Sequence, residues 1–466
     1  MKFLLLYFIL GLIFSTAYSA PTRFRNNYTA SSHIITVIGT GYVGLITGAC
    51  LADLGHHVIC TDIDKKKIDL LNSGIVPIYE PGLDLLISAN VNAQRLMFTC
   101  NVEDAIEEAD VIFIAVGTPM GDDGCANLTA FNAVFQTIIS HLNDYKLICV
   151  KSTVPVGVCN ALLEKLQEQE IDPRLYDIVS NPEFLREGSA IKDFMHPDRI
   201  IIGTNSENAR ICMKELYAPL INANIPCFFT STSSAEMIKY SSNAFLATKL
   251  SFINEIANLC DCTGADIADV AYGMGLDSRI SPHFLRPGPG FGGSCFPKDC
   301  AALCMVGYTR GCPLHVVETA LAVNEQQKRK PVEKLEYLLG HSLQGKTIAV
   351  LGLAFKNNTD DIRCSPAITT IELLLEKGAV IKAYDPAAIN NMLILFPDIT
   401  YENSLYDALT DADAAIIMTE WEEFKSIDLV YAKKLMQSPV IVDSRNLLDP
   451  TLLKKYNFSF SLFGRS

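Results

Sequence analysis

The stretch from His33 to Asp62 constrains the fold of this chain more than any other. A β-branched run, His33–Ile38, predicts a buried strand, and the glycine motif GTGYVG follows it at residues 39–44. A helical segment and a second β-branched run then lead to Asp62. This order of strand, glycine motif, helix, strand and acid predicts a βαβ unit that binds a dinucleotide.

Each part of this motif has a physical role. Gly39 makes the tight turn, Gly41 lets a pyrophosphate approach the backbone, and Gly44 lets the helix pack closely on the strand. Asp62 is placed to bind ribose hydroxyls and to repel a 2′-phosphate, so we expect NAD rather than NADP as the cofactor.

Two further predicted strands end in polar segments. Asp110–Val116 runs into Thr118, and Leu147–Val150 runs into Ser152 and Thr153. Because strand ends line the ligand crevice of a doubly wound sheet, these three hydroxyls are predicted to face the cofactor or the substrate. The ordinary turn chemistry of hydroxyls beside a proline is the alternative.

A carboxylate follows the next strand. Asp177–Ser180 leads into the segment NPEFLREG, residues 181–188. Its position at a strand end makes Glu183 a candidate acid or base, with an exposed loop glutamate as the alternative. Ile200–Gly203 is expected to be the last strand of this domain.

A cysteine with the features of a nucleophile lies in the segment GFGGSCFPKD, residues 290–299. Three glycines allow a tight bend and a close approach to a ligand, and Pro297 opens a predicted helix. A thiol before a helix N-terminus, with Lys298 three residues on, has a favoured thiolate. Cys295 is therefore a candidate nucleophile, and a packing cysteine in a tight turn is the alternative.

A long helix without proline or glycine is predicted from Ser234 to Cys262. Lys239 and Asn243 are four residues apart and share one face of it. A lysine and an amide on a buried helix require polar partners. The pair is either an oxyanion clamp or a snorkelling lysine beside a capped amide.

A second strand–helix–strand unit begins at Lys346 and reaches Asp385, but its glycine motif is degenerate. Lys356, Arg363 and Arg445 are basic residues near its predicted strand ends. They indicate either a diphosphate site or scattered surface charges. The whole chain is predicted to be α/β, with two Rossmann-like doubly wound domains joined by a long central helix.

Charge and cysteine usage exclude some classes of protein. The 38 basic and 52 acidic residues give a net charge of −14, which argues against general nucleic-acid binding. The 15 cysteines include no CxxC pair and the 8 histidines no HExxH motif, so no metal site is expected. The odd cysteine count favours reduced thiols.

The N-terminus conflicts with that expectation. Lys2, the apolar run Phe3–Phe14 and the small residues before Ala20 have the order of a secretory signal peptide. A glycosylation sequon begins at Asn27. A targeting segment over residues 1–32, which is cleaved or anchors the chain at a membrane, is therefore one expectation.

Together these pieces resemble the nucleotide-sugar dehydrogenase family over about residues 33–450. The motifs that carry the resemblance are GTGYVGL (39–45), KSTVP (151–155), NPEFLREG (181–188), NAF (243–245) and FGGSCFPKD (291–299). The resemblance implies a four-electron oxidation of UDP-glucose to UDP-glucuronate by two NAD⁺. GDP-mannose or a UDP-N-acetylhexosamine is the alternative substrate, and a non-catalytic nucleotide-sugar or NAD-binding protein is the alternative class.

The resemblance also implies roles for individual residues. Cys295 would add to the C6 aldehyde, and Lys239 and Asn243 would stabilise oxyanions. Asp299, Glu183 and Thr118 would handle water and protons. The implied cofactor contacts are Gly39, Gly41, Tyr42, Val43, Gly44, Asp62, Lys67, Thr118, Ser152, Thr153, Glu187, Lys298 and Arg363. The implied substrate contacts are Glu183, Phe184, Leu185, Arg186, Lys239, Asn243, Arg279, Phe291, Gly292, Lys356 and Arg445.

The family pattern implies three domains and an oligomer. We expect an NAD-binding domain at 33–215, a central helical domain with the active site and a dimer interface at 216–328, and a UDP-sugar-binding domain at 329–466. Arg279 would reach the sugar of a neighbouring subunit in a homodimer or a larger homo-oligomer. The resemblance implies a cytoplasmic location, against the signal-like N-terminus.

Overall fold

A computed structural model describes residues 32–121 and 124–465. The signal-like segment expected over residues 1–32 lies, except for Ser32, outside the described residues. The strands are β1 (Ile34–Ile38), β2 (His57–Thr61), β3 (Leu96–Thr99), β4 (Val111–Ile114), β5 (Lys146–Val150), β6 (Tyr176–Ser180), β7 (Ile200–Gly203), β8 (Cys227–Thr230), β9 (Thr347–Leu351), β10 (Val380–Tyr384), β11 (Thr400–Tyr401), β12 (Ala414–Ile417), β13 (Val440–Asp443) and β14 (Ser459–Leu462).

Helices alternate with these strands. They are α1 (Tyr42–Asp53), α2 (Lys65–Asn72), α3 (Leu83–Asn92), α4 (Val102–Glu108), α5 (Thr129–Ser140), α6 (Val158–Glu168), α7 (Ala190–Met195), α8 (Glu207–Leu216), α9 (Ala218–Asn222), α10 (Thr232–Thr263), α11 (Ile267–Gly275), α12 (Phe296–Thr309), α13 (His315–Gln327), α14 (Lys330–Leu338), α15 (Pro366–Glu376), α16 (Ile389–Leu395), α17 (Leu405–Leu409), α18 (Glu422–Lys425), α19 (Leu429–Leu435) and α20 (Pro450–Lys455).

The first sheet has the strand order β3-β2-β1-β4-β5-β6-β7-β8. Strands β1 to β6 pair in parallel, and β7 pairs with β6 in the antiparallel sense at Ser180 and Gly203. The expectation that Ile200–Gly203 is the last strand is wrong, because β8 pairs beyond it. This edge strand is only four residues long and half-buried, so its apolar pattern is weak.

The second sheet has the order β11-β10-β9-β12-β13-β14, and all of its strands are parallel. Both sheets are apolar on both faces. In β9, for example, Ile348 and Val350 lie in one buried cluster while Ala349 and Leu351 lie in another. Helices cover the two faces, so the predicted α/β class with two Rossmann-like domains is confirmed.

Helix α10 joins the two halves, as predicted. It spans 32 residues, begins after Ser231, whose side chain accepts a hydrogen bond from the Ser234 amide, and ends at Gly264 with φ of 77°. A left-handed glycine after the last turn is a common helix stop. Helices α12 and α13 pack against α10 and hold the segment 286–295 between the domains.

Two kinds of feature are absent from the described residues. Within 32–121 and 124–465, no helix combines the length and apolarity needed to cross a bilayer. The same residues contain no cluster of three or more His, Cys, Asp or Glu side chains suited to a metal ion.

Candidate active site

The glycine motif forms a turn that leaves room for a ligand. Gly39 has φ of 101°, and a Cβ there would lie 2.8 Å from the Ala115 carbonyl oxygen. A Cβ on Gly44 would overlap the carbonyl of Gly39. In contrast, a Cβ on Gly41 would meet no described atom within 4 Å. The first and last glycines are thus required by packing, and the middle one faces open space where a pyrophosphate fits.

Asp62 lies at the end of β2 beside this turn. Its carboxylate accepts hydrogen bonds from the Thr40 amide at 2.9 Å and the Thr40 hydroxyl at 2.8 Å, and Lys67 Nζ is 3.7 Å away. Burial alone would raise the pKa of Asp62, but these groups and the Asp64 amide hold it below its ordinary value. An ionised carboxylate at this place fits the ribose of a dinucleotide.

The hydroxyls at the ends of β4 and β5 support the loops. Thr118 donates to the Thr153 carbonyl oxygen at 2.8 Å, and Ser152 donates to the Val116 carbonyl oxygen at 2.7 Å. These bonds join the two strand ends next to the glycine motif. Thr118 and Ser152 therefore make the loop-stabilising hydrogen bonds that were the alternative to a ligand contact.

Cys295 is the residue that precedes α12, and the charges of Lys239, Glu183 and Asp299 act on its thiol. Lys239 Nζ donates to Glu183 Oε1 at 2.9 Å, with both side chains at most 5% exposed. Asn243 Nδ2 donates to Asp299 Oδ2 at 2.7 Å. The structure therefore brings together residues from the loop after β6, from α10 and from α12, and the lysine and the amide each have a carboxylate partner.

Charge and burial oppose each other at this centre. Burial raises the pKa of the Cys295 thiol, and Lys239 lowers it only in part. The expectation of a favoured thiolate with help from Lys298 is wrong for this structure, since Lys298 Nζ pairs with the Asp299 carboxylate. Burial alone would raise the pKa of Glu183, but Lys239, the Leu185 amide and Lys151 together outweigh burial, and the pKa lies below its usual value.

Glu187 connects the nucleophile segment to the C-terminal domain. Its carboxylate accepts hydrogen bonds from Ser294 Oγ at 3.2 Å and Thr359 Oγ1 at 3.2 Å, and Arg363 Nη2 is 3.5 Å away. Burial and the charge of Asp361 raise the pKa of Glu187 to about 7. This carboxylate titrates in the physiological range.

The C-terminal domain contacts the same segment with basic side chains. A Cβ on Gly288 would lie 3.2 Å from Arg445 Nη1, so this guanidinium packs against the loop. Arg445 also donates to the Phe355 carbonyl oxygen at 3.0 Å, next to Lys356. Burial lowers the pKa of the half-buried Lys356. Arg445 and Lys356 are thus two cations beside this loop, a pair suited to a diphosphate, and Arg445 also forms an ion pair with Glu420 at 3.2 Å.

Comparisons with known proteins identify the family. The family described as "UDP-glucose/GDP-mannose dehydrogenase family" matches with its NAD binding domain at residues 33–221, its central domain at 233–326 and its UDP binding domain at 349–450. This chain belongs to that family. It is therefore an NAD-dependent dehydrogenase.

Three relatives show how close the likeness is. UDP-glucose 6-dehydrogenase TuaD of Bacillus subtilis is 48% identical over 92% of this chain and 93% of its own length. A UDP-glucose dehydrogenase structure from Pyrobaculum islandicum has a TM-score of 0.87 at 36% identity, covering 94% of this chain and all of that one. A UDP-D-ManNAc dehydrogenase from Pyrococcus horikoshii has a TM-score of 0.82 at 28% identity, covering 93% of this chain and 99% of that one.

Within this dehydrogenase, buried amides hold the loop that leads to Cys295. Asn324 accepts from the Phe291 amide at 2.7 Å and donates to the Phe291 carbonyl oxygen at 3.0 Å. Asn254 and Gln327 hold Gly288 in the same way. We missed these amides in the sequence, because Gln327 lies in the polar run Glu325–Lys330, which is also typical of a solvated helix face.

Glu80 is a second group that sequence reasoning missed. Its buried carboxylate accepts hydrogen bonds from the Gly188 amide at 2.6 Å and the Ala190 amide at 2.7 Å, and it also bonds the hydroxyl of Tyr42. One side chain thus joins the glycine motif to the segment that carries Glu183 and Glu187. No local motif around Glu80 indicates this contact.

Several other predicted contacts lie around this centre. Phe184 stacks under Arg199 at 3.7 Å, and the Leu185 amide donates to Glu183 Oε2 at 2.5 Å. Arg186 is exposed and pairs with Asp193, and the guanidinium of Arg279 is 87% exposed and pairs with Asp277. Val43 lies half-buried in the first turn of α1.

Proposed function

We propose that this dehydrogenase oxidises UDP-glucose to UDP-glucuronate, with reduction of two NAD⁺ and consumption of one water. The observation that carries the proposal is a half-buried cysteine whose thiol is acted on by Lys239, Glu183 and Asp299, the charged members of the Glu183–Lys239 and Asn243–Asp299 pairs. A single NAD-dependent alcohol oxidation needs no nucleophile, whereas a second oxidation of the aldehyde is aided by one. The most similar of the three relatives is named as a UDP-glucose 6-dehydrogenase.

The glycine motif, Asp62 and Lys67 would hold the cofactor, with Thr118, Ser152, Thr153, Glu187, Lys298 and Arg363 around its reactive end. NAD, when bound there, accepts the hydride from C6 in both oxidations. Lys239 and Asn243 stabilise charge that develops on the C6 oxygen, because burial makes such donors effective. Lys356, Arg445, Phe291 and Gly292 hold the UDP moiety.

Cys295 holds the carbon between the two oxidations. Its sulfur bonds to C6 of the aldehyde, the thiol proton passes to a carboxylate of the centre, and the electron pair of the opened C=O bond moves to oxygen, which leaves the oxyanion of a thiohemiacetal. Loss of the second hydride from C6 gives a thioester. Water then adds at C6, the C–S bond breaks, and the carboxylate product leaves Cys295 as a thiol again. The charges of Glu183 and Asp299 both act on this thiol, so these two carboxylates are the proposed proton carriers.

The rival substrates are GDP-mannose and a UDP-N-acetylhexosamine. Identity to the UDP-D-ManNAc dehydrogenase is 28%, below the 36% and 48% of the two UDP-glucose enzymes. Steady-state assays with each nucleotide sugar and NAD⁺ test the choice. We expect the highest kcat/KM for UDP-glucose, and a higher value for either rival would overturn it.

The exposed face of α10 supports a homodimer as part of this proposal. Phe245, Phe252 and Leu259 recur every seven residues and are 65%, 46% and 57% exposed. Such an apolar stripe on a long helix fits burial against a second copy. Arg279 would then act across the interface. Because Cys295 must remain a free thiol, we place catalysis in a reducing compartment such as the cytoplasm.

A further inference from the structure

A second buried lysine lies behind the catalytic centre. Lys151 follows β5 and is 5% exposed. Its ammonium donates to Asn181 Oδ1 at 3.2 Å, an oxygen that also accepts the Tyr217 hydroxyl at 2.7 Å. Within the described residues no carboxylate forms an ion pair with it. A buried ammonium without a paired carboxylate is costly, so a nearby negative charge must offset it.

Glu183 supplies that charge. Lys151, Asn181 and Glu183 line one small cavity, and the charge of Glu183 favours the ammonium form of Lys151. In return Lys151 helps to hold the pKa of Glu183 below its usual value, after the larger effect of Lys239. Burial lowers the pKa of Lys151 itself to about 8. The two lysines and one glutamate form a buried cluster with an excess positive charge.

Other titratable groups face this cluster from the elements around it. Cys149 on β5 favours the charged form of Lys151, and Lys239 on α10 disfavours it. Asp193 of α7, Arg199 before β7 and Tyr217 before α9 line the same cavity. Asp193 forms an ion pair with Arg186, and Arg199 stacks on Phe184. Neither supplies Lys151 with an ion pair.

In the proposed reaction Lys239 has two different partners. In this structure its ammonium is paired with Glu183, yet the reaction requires it at the C6 oxygen. If Lys239 turned to the substrate with no other cation present, Glu183 would become a lone buried carboxylate and take up a proton. We infer that Lys151 is a positioning residue, a second counter-charge that keeps Glu183 ionised while Lys239 serves the substrate oxygen. This inference rests on the proposed function.

The test is the pH dependence of Lys151→Met, which keeps the length of the side chain and removes its charge. Loss of a nearby positive charge raises the pKa of Glu183, so the acid limb of kcat should move up by about one pH unit. We expect kcat to fall roughly tenfold on the acid side of the profile and much less at neutral pH, where Glu183 stays ionised, and KM for UDP-glucose to change less than about twofold. Part of the lost rate should return at higher pH.

Lys146→Met is the matched control. Lys146 is a buried lysine at the start of the same strand, and its ammonium donates to the carbonyl oxygens of Glu107 and Ala109. This variant should lose thermal stability and keep the wild-type pH profile. A Lys151→Met enzyme with an unshifted acid limb would overturn the inference, as would a uniform loss of rate at every pH.

Alkylation of Cys295 by iodoacetamide gives a readout that needs no turnover. The charge of Glu183 acts on the Cys295 thiol, so protonation of Glu183 should appear as an acid inflection in the alkylation rate. Lys151→Met should move that inflection upward even if UDP-glucose proves not to be the substrate. Lys151→Gln is the second variant. If neither variant folds, Lys151 serves the fold alone and the inference fails.

Discussion

At the scale of the residue, Glu187 has the most unusual environment. It touches Ser294 beside the nucleophile and Thr359 and Arg363 of the C-terminal domain. Its pKa is raised to about 7 by burial and by Asp361. Between the ordinary value of 4.5 and about 7 the native protein binds more protons than the unfolded chain, so stability falls as pH rises through this window.

Replacement of Glu187 by glutamine should remove this pH dependence. The rise from 4.5 to about 7 corresponds to roughly 3.5 kcal/mol lost on ionisation, because one pKa unit is about 1.4 kcal/mol. In thermal unfolding, the Tm of Glu187→Gln should therefore rise relative to the Tm of the wild type as pH increases from about 5 to 8. A difference in Tm that stays constant over this range would contradict the assigned pKa.

Cys295→Ser tests the covalent role. An oxygen nucleophile at this place does not form the thioester, so we expect the rate of NADH formation from UDP-glucose to fall by roughly 10³-fold or more. Binding of UDP-glucose, measured by calorimetry, should remain detectable because the loop and the basic residues are intact. A variant with wild-type turnover would refute the covalent role.

The sequence predicted which residues meet at this scale, but not how they pair. The spacing of Lys239 and Asn243 places them on one face of a helix, and this is a local property. Their carboxylate partners Glu183 and Asp299 come from segments 56 residues away in each direction. The thiol pKa was predicted in the wrong direction, because burial depends on the whole fold.

At the scale of the element, the loop 286–293 depends on amides of the helices behind it. Asn324→Ala should leave the Phe291 amide and carbonyl without partners and cost roughly 2 kcal/mol or more of stability. Because this loop is proposed to hold the nucleotide, KM for UDP-glucose should rise about tenfold.

Asn90→Ala is the control for that change. Asn90 is a fully buried amide that donates to Asp53 and to the Leu86 carbonyl oxygen in the first domain. The Asn90→Ala variant should lose about as much stability as Asn324→Ala, measured by urea unfolding, and its KM for UDP-glucose should be unchanged. An equal rise of KM in both variants would show that lost stability, and not the loop, is responsible.

Strong periodic elements could be predicted from the sequence. Helix α10 was expected at Ser234–Cys262 and spans Thr232–Thr263. The prediction came close because a serine caps the helix, a glycine ends it, and no proline or glycine lies between them. Strand β8 was missed, since four half-buried residues at a sheet edge carry little periodicity. The amides of α13 hold a loop that is distant in the sequence, and helical spacing alone does not predict which loop they contact.

At the scale of the whole molecule, the second domain docks onto the nucleophile segment through glycine. A Cβ on Gly292 would overlap the Cys364 carbonyl, and the Gly293 amide donates to the Arg363 carbonyl oxygen at 2.7 Å. The two sheets were predictable from their β-branched strands and turns. The docking of the two domains was not predictable, because it depends on the absence of a side chain at Gly292, which lets the backbone approach a segment that is far away in the sequence.

Gly292→Ala should therefore push the domains apart. A displacement of about 1 Å at a catalytic centre costs on the order of 10²-fold in rate, so kcat/KM for UDP-glucose should fall by about that factor. The control is Gly273→Ala on α11, where a Cβ meets no described atom within 4 Å. It should keep wild-type kinetics, and a Gly292→Ala enzyme that matched it would disprove the tight docking.

The central claim is that one site carries out both oxidations of the same carbon. The most direct measurement is the yield of NADH per UDP-glucose consumed, with NAD⁺ in excess and the thiols kept reduced. The account predicts two NADH for each UDP-glucose converted to UDP-glucuronate. A yield of one, with free aldehyde as the product, would contradict it, and no NADH at all would make the protein a binding module.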